Sequence, residues 1–125
     1  MAEMSTGPAE AEAACLFCRI LRGEIPSQAV LETETAYAFR DISPAAPVHV
    51  LVVPRRHIAD AGALRSVDGS LLADLFDAAR HVATAEGVAE SGYRLVFNVG
   101  ADAQNSVAHL HLHVLGGRSL GWPPG

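Results

Sequence analysis

The chain has 125 residues, of which 50% are hydrophobic and 18% are charged, and its formal net charge is −5. This length and composition suit one folded domain and exclude an intrinsically disordered protein. The acidic balance gives no electrostatic surface for nucleic acid or anionic lipid, although a single small nucleotide needs only local donors. No apolar run approaches the roughly 20 residues of a membrane span.

The first 14 residues form a small, acidic segment. They lack the basic start and apolar middle of a signal peptide and the arginine-rich pattern of a transit peptide. We therefore expect a disordered tail over residues 1–14, one folded domain over residues 15–125, and a cytoplasmic, reducing location. In such a compartment Cys15 and Cys18 would not form a structural disulfide, and their spacing suits metal or redox chemistry.

Hydrophobic spacing and turn residues predict the remaining elements in chain order. A short helical turn is followed by three strands, one long amphipathic helix and two further strands. Asp68 or Ser70 is the predicted cap of the long helix. The order β-β-β-α-β-β implies an α+β fold in which an antiparallel sheet packs on the helix. The predicted ranges are 16–21 and 70–86 for the helices and 28–32, 36–41, 48–53, 93–99 and 108–115 for the strands.

Three histidines alternate along the last predicted strand, at His109, His111 and His113. Alternate residues of a strand share one face, so Leu110 and Leu112 are expected on the opposite, buried face. One zinc ion bound by all three imidazoles fits poorly, because the outer two lie about 13 Å apart at the backbone. A second interpretation makes His111 a nucleophile that its neighbours orient, with phosphorus as a suitable target.

The segment before this strand is polar and suits phosphate binding. Residues 100–107 can present side-chain and backbone donors to phosphate oxygens, and Asn98 adds another donor at the end of the neighbouring strand.

At this point the chain resembles a known family. Residues 109–115 resemble the His-φ-His-φ-His-φ-φ motif of the histidine triad (HIT) superfamily. Residues 39–44, 48–54, 115–118 and 121–125 are similar to the Hint branch of nucleoside phosphoramidases, so the resemblance covers nearly all of the predicted domain. It implies a HIT-like fold with a five-stranded antiparallel sheet, one long helix and a short N-terminal helix. It also implies a homodimer with a continuous sheet.

The resemblance further implies an activity. Hint-like proteins bind purine nucleoside monophosphates and hydrolyse the P–N bond of adenosine 5′-phosphoramidates through a nucleotidyl-histidine intermediate. Carried over, His111 is the nucleophile, and His113, His49 and Ser106 assist proton transfer or contact the leaving group. An amine departs only once it is protonated, so a proton relay beside the nucleophile is chemically required.

A nucleotide pocket is implied in the same way. Asp41 matches the acid that binds the ribose hydroxyls, although a turn-forming role is an alternative that can coexist with it. Phe39 and Ile42 match apolar walls of the base pocket, opposite Phe17 and Ile20; without the resemblance, Phe39 could equally be a core residue. The implied phosphate contacts are Asn98, Gln104, Asn105, Ser106, His111 and His113.

One departure from the family pattern affects the phosphate loop. Gln104-Asn105-Ser106 stands where Hint proteins more usually have Gly-Gln-Ser. Glutamine adopts positive φ less freely than glycine, and Asn105 reaches less far than glutamine. We expect an altered rate or amine preference rather than loss of the chemistry.

Cys15 and Cys18 admit three interpretations. A redox pair would normally follow a β-strand, which is not predicted here, and free thiols are a second possibility. The resemblance implies the third, a closed Cys₂His₂ zinc site with His57 and His109, which is expected to be structural. His109 would then serve the metal while His111 and His113 serve the phosphate.

The chain ends in Trp122-Pro123-Pro124-Gly125, which cannot continue a sheet. This segment either folds on its own subunit or, as in Hint homodimers, reaches towards the partner's active site. Three other functions remain open at this point: an AMP-binding regulatory adaptor with incidental turnover, a dinucleoside polyphosphate hydrolase, and a metal-buffering protein. The Trp-Pro-Pro-Gly ending favours the Hint branch over the polyphosphate hydrolases.

Overall fold

The computed structural model describes residues 12–125. The predicted disordered tail therefore falls mostly outside the described residues, and its last three residues, 12–14, are helical. Two short 3₁₀ helices, Ala61–Ala63 and Ser66–Asp68, lead into the long helix. The other elements are α1 Leu16–Leu21, β1 Ala29–Glu32, β2 Ala36–Arg40, β3 Val48–Pro54, α2 Gly69–Ala85, β4 Tyr93–Val96 and β5 Leu112–Gly116.

The five strands form one antiparallel sheet in the order β1-β2-β3-β5-β4. The predicted α+β class, with one long helix and one short N-terminal helix, is confirmed. Strand β3 lies at the centre because its run of β-branched residues suits burial on both faces. Its pairing with β5 sets His49 opposite Leu115 and Leu51 opposite His113. This register brings two histidines from different parts of the chain to one face.

The main core lies between the sheet and α2. Leu75, Ala79 and Val82 of α2 are at most 1% exposed and pack on the sheet. The alanines on this face let the helix approach the strands closely. The sheet contributes Ala36, Ala38, Val50, Val52, Leu112 and Val114, and Leu110 joins them from just before β5.

Two predicted strands are shorter in the structure. Strand β4 ends at Val96 rather than at residue 99, and β5 begins at Leu112 rather than at residue 108. The chain bends over residues 107–109, and the Leu110 N–H donates to the carbonyl of Ile58 at 2.6 Å instead of to a strand. His109 and His111 therefore precede the strand, although the alternation of buried leucines and histidines is kept.

Of the two predicted caps of α2, Asp68 is at the expected position, but its side chain does not cap the helix. Asp68 occupies the N-cap position, but its carboxylate accepts from the Arg65 N–H at 2.9 Å and pairs with Arg56, so it makes no capping bond to α2. The side chain instead holds the preceding 3₁₀ helix. Within residues 12–125, no helix is both long and apolar enough to span a membrane.

Candidate active site and metal centre

The face of the sheet opposite α2 carries a second apolar cluster, formed by Phe17, Phe39, Leu51 and Val53. The short helix α1 brings Phe17 there, with its ring edge-on to Phe39 at 5.5 Å between centroids. Ile20 packs against the same cluster. Three of the four residues predicted as apolar walls of a base pocket therefore meet.

Ile42, the fourth predicted wall residue, is 98% exposed and takes no part in this cluster. It lines an open cavity of about 450 Å³ together with Asp41 and Arg40 at the end of β2 and Pro26, Ser27 and Gln28 before β1. Asp41 also accepts a hydrogen bond from the Ser43 N–H at 2.8 Å, so its turn-forming role is present. Its other carboxylate oxygen lies 3.5 Å from His49 Nε2.

The imidazole of His111 is buried and held in one tautomer. Its Nδ1–H donates to the carbonyl of His109 at 2.7 Å, so in the neutral ring Nε2 carries the lone pair. Phe17 stands edge-on to the ring at 5.2 Å, and the His113 ring lies at 5.0 Å. An oriented, unprotonated Nε2 is what a nucleophilic histidine requires.

A chain of hydrogen bonds fixes the tautomers of two further histidines. The Ala45 N–H donates to His49 Nδ1 at 2.9 Å, so the proton of the neutral His49 ring is on Nε2. That Nε2 lies 2.8 Å from His113 Nδ1, which accepts the bond. The proton of His113 is then on Nε2, which lies 3.5 Å from Asn98 Nδ2. Because both nitrogens donate, they do not bond to each other, and both are left for an acceptor.

Burial keeps both of these histidines neutral. Burial, together with positive charge on His111 or His49, lowers the pKa of His113 to about 4, against the opposing effect of Asp41. Burial likewise lowers the pKa of His49 below its ordinary value, although Asp41 opposes this shift. At neutral pH, His113 therefore offers a neutral Nε2–H donor.

Asp41, His49 and His113 place three potential metal ligands within 4.8 Å of one another. A metal at this position would need a lone pair on His49 Nε2. That atom carries the ring proton, because Nδ1 already accepts from Ala45. The trio is therefore a hydrogen-bond chain rather than a ligand set.

The polar loop contains a strained residue at the predicted departure from the family pattern. Gln104 has φ +61°, the only positive φ of a non-glycine residue within residues 12–125. The side-chain oxygen of the next residue, Asn105, is buried and has no hydrogen-bond partner among the described residues. Ser106 lines a cavity of about 470 Å³ together with Ala14, Cys15, Leu16, His57, Val107 and Ala108.

Cys15, Cys18, His57 and His109 converge, with their ligand atoms all within 4.8 Å of one another. The Sγ of Cys15 lies 3.3 Å from His109 Nδ1, and that of Cys18 lies 3.3 Å from His57 Nδ1 and 3.5 Å from His109 Nδ1. A tetrahedral zinc ion separates its sulfur and nitrogen ligands by about 3.5 Å. The donor set and its spacing therefore fit zinc.

The surroundings of these four residues also suit a metal. The Nε2–H of His109 donates to the carbonyl of Pro54 at 2.9 Å, which leaves Nδ1 free to bind an ion. Burial raises the pKa of the Cys18 thiol to about 12, so only a nearby cation would stabilise its thiolate. The start of α1 brings the two cysteines together, because residues three apart lie on one side of a helical turn.

The C-terminal segment, residues 121–125, contacts one side chain of β4 in its own chain, that of Arg94. Arg94 donates to the carbonyl of Gly121 at 2.9 Å, and its guanidinium lies 6.0 Å from the centre of the Trp122 ring. The indole is nevertheless 82% exposed.

Two contacts that shape the site could not be identified from side-chain types. The Ala45 N–H and the Pro54 carbonyl are backbone groups, and nothing in the residue pattern indicates their partners.

The comparisons with known proteins agree with this fold. The family model described as HIT domain matches residues 22–120, so the chain belongs to the HIT domain family. A HIT-like protein of Synechococcus elongatus is 46% identical over 110 residues, which are 88% of this chain and 96% of the relative. A HIT-like protein of Azospirillum brasilense is 50% identical over 108 residues, 85% of this chain and 88% of that protein.

Solved structures show the same likeness. A HIT family hydrolase from Legionella pneumophila superposes with a TM-score of 0.87 at 50% identity, covering 89% of this chain and 99% of that one. A histidine triad nucleotide-binding protein from Candida albicans gives a TM-score of 0.76 at 32% identity, covering 88% of this chain and 83% of the other.

Proposed function

We propose that this HIT protein is a purine nucleoside phosphoramidase of the Hint type, which hydrolyses the P–N bond of adenosine 5′-phosphoramidates. The observation that carries the proposal is the fixed tautomer of His111, whose Nδ1–H donates to the His109 carbonyl and leaves Nε2 as a nucleophile. Two similar proteins add support, since one is named a hydrolase and the other a nucleotide-binding protein.

In the first step of the proposed reaction, His111 Nε2 attacks phosphorus and a new N–P bond forms. The substrate's P–N bond breaks, and its electron pair stays on the departing nitrogen, which takes up a proton and leaves as the amine. We assign the handling of this proton to Ser106, His113 and His49. The neutral Nε2–H of His113, together with Asn98, would stabilise charge on the phosphoryl oxygens.

In the second step, water attacks the phosphorus of the nucleotidyl-histidine and a new P–O bond forms. The bond to His111 Nε2 breaks and its electron pair returns to the ring. One proton of the water returns to the group that protonated the amine, and AMP is released. The overall change is one phosphoramidate and one water converted to AMP and an amine.

The nucleoside would bind across the second apolar cluster. Phe17, Phe39 and Ile20 offer flat apolar surface for a purine, and Asp41 offers a carboxylate to the ribose hydroxyls. Ile42 is exposed at the rim and would close over the base. Gln104, Asn105 and Ser106 would line the phosphoramidate group. The buried side-chain oxygen of Asn105 has no partner among the described residues and would accept from the N–H of that group.

The metal of the proposed enzyme is a structural zinc ion held by Cys15, Cys18, His57 and His109. It would supply no step of the reaction, because four protein ligands leave it no open position. Its role would be to fasten α1, and with it Phe17, to the segment that carries His111.

The proposed assembly is a symmetric homodimer with a continuous sheet. Strand β4 lies at one edge of the sheet, and an unpaired edge is suited to pairing with a second copy. Light scattering at micromolar concentration should give twice the monomer mass, and a monomer would contradict this part of the proposal.

Steady-state kinetics on an adenosine 5′-phosphoramidate test the activity, with wild type compared with His111→Ala. Loss of turnover by a factor of at least about 10³, with AMP binding retained by calorimetry, is the expected result. His81→Ala, on the far side of the sheet in α2, is the matched control and should leave turnover unchanged. Tight AMP binding by a wild type that does not turn over the substrate would indicate a regulatory adaptor instead. Preferential cleavage of a dinucleoside polyphosphate would indicate the other hydrolase branch.

A further inference from the structure

Gly117 and Arg118, which directly follow β5, contact the loop that precedes β3. The guanidinium of Arg118 donates to the carbonyl of Ala45 at 2.9 Å. Next to it, Gly117 has φ +92°, and a Cβ at that position would lie 2.9 Å from the Cβ of Pro47. These two residues therefore meet the loop at two points, one polar and one a close backbone approach.

Ala45 is also the residue that orients the histidine chain. Its N–H donates to His49 Nδ1, His49 Nε2 bonds to His113 Nδ1, and the Nε2–H of His113 is left for the phosphate site. We propose that Arg118 is a positioning residue for this chain. By holding Ala45, it selects the tautomers of His49 and His113 that present a donor to the substrate. The catalytic consequence rests on the function proposed above.

The hydrogen bond between the rings of His49 and His113 needs an outside contact to fix which ring donates. The bond between the two rings can form with either ring as donor, so it fixes no direction by itself. In the reversed chain, His49 carries its proton on Nδ1 and His113 carries its proton on Nδ1 as well. His113 Nε2 would then face phosphoryl oxygens with a lone pair. The Ala45 N–H excludes this arrangement because it occupies His49 Nδ1.

Other groups also face the pair, and they limit the size of the effect. Asp41 Oδ2, 3.5 Å from His49 Nε2, favours the same direction of the chain, since its negative charge attracts an Nε2–H and repels a lone pair at that atom. Asn98 Nδ2, 3.5 Å from His113 Nε2, favours the opposite direction, because an amide N–H donates to a lone pair and not to another N–H. The ring of His111 lies 5.0 Å from that of His113. Arg118 therefore acts alongside groups that oppose each other, and losing one hydrogen bond corresponds to a change of roughly three- to tenfold.

The test compares Arg118→Ala, Arg118→Lys and Arg94→Ala with wild type. Nitrogen-15 spectra of the imidazoles report the tautomer of each ring, and turnover of an adenosine phosphoramidate is measured on the same samples. Arg94→Ala is the matched control, because Arg94 holds the C-terminal segment at Gly121 and does not touch the loop. Light scattering and a melting curve check assembly and folding of each variant.

We expect Arg118→Ala to convert a measurable fraction of His113 to the Nδ1–H tautomer. It should also lower kcat roughly three- to tenfold with little change in KM, and lysine should restore both, since one N–H suffices for Ala45. Arg94→Ala should keep the wild-type tautomers. Unchanged tautomers in folded Arg118→Ala would overturn the inference. A shifted tautomer in a protein whose wild type lacks turnover would support the positioning role and reject the phosphoramidase.

Discussion

Replacing Gln104 with glycine should stabilise the protein. Gln104 holds φ +61° at an exposed loop position. A left-handed conformation costs a residue with a Cβ about 1–2 kcal/mol, and glycine avoids this cost. Glycine loses about 0.4–1 kcal/mol more than other residues in backbone entropy on folding, which offsets part of the gain. The expected net increase in the free energy of unfolding is therefore about 0.5–1 kcal/mol.

Urea denaturation followed by circular dichroism measures this difference. Ala103→Gly is the matched control, because Ala103 is exposed in the same loop and has no positive φ. It should lower the free energy of unfolding by about 0.5 kcal/mol, since there glycine brings only its entropic cost. If Gln104→Gly is as destabilising as Ala103→Gly, the side chain of Gln104 makes a contact worth more than the strain, and the reasoning is wrong.

Three further predictions concern the core, the histidine chain and the metal centre. Leu75→Ala should lower the free energy of unfolding by about 3 kcal/mol in the same urea assay, because Leu75 is fully buried; a loss below about 1 kcal/mol would contradict the described packing. The pKa of His113 is about 4 in the folded protein and 6.5 in the unfolded chain, so the unfolded chain takes up the proton first as the pH falls. The stability of the folded protein that depends on neutral His113 is therefore complete above pH 6.5 and is lost as the pH falls towards 4. Melting curves of His113→Asn should therefore decline less over this range than those of wild type, and parallel declines would exclude the shift. Protein purified without added metal should contain near-stoichiometric zinc by mass spectrometry, and Cys15→Ser should lose both the zinc and several degrees of Tm; metal-free protein with unchanged Tm would remove the zinc proposal.

The sequence was most informative where structure follows from local spacing. The predicted long helix over residues 70–86 differs by one residue at each end from Gly69–Ala85, because apolar residues at helical spacing define its buried face. The histidine segment was predicted less well. Alternation predicted the shared face of the histidines, but the late start of β5 depends on the Leu110 N–H bonding to Ile58, a distant residue.

The candidate site divides in the same way. The residue pattern and the family resemblance indicated the side chains, including the four that converge on the metal centre. The contacts that orient these side chains involve backbone N–H and carbonyl groups. Which side chain each backbone group meets depends on how segments far apart in sequence pack together. The Ala45 N–H on His49 and the Arg118 contact to Ala45 belong to this second kind. Gln104 illustrates both kinds of information. The sequence shows glutamine where related proteins more usually have glycine, and only the structure shows that this residue has a positive φ.

His109 joins the two sites through opposite ends of one residue. Its ring nitrogen Nδ1 lies among the metal ligands, and its carbonyl oxygen accepts a hydrogen bond from the Nδ1–H of His111. If zinc and nucleotide both bind as proposed, their binding equilibria share this residue. Thermodynamic reciprocity then requires that whatever factor zinc contributes to nucleotide affinity, nucleotide contributes equally to zinc affinity. A measurement of zinc affinity with and without AMP would give the coupling free energy between the two sites.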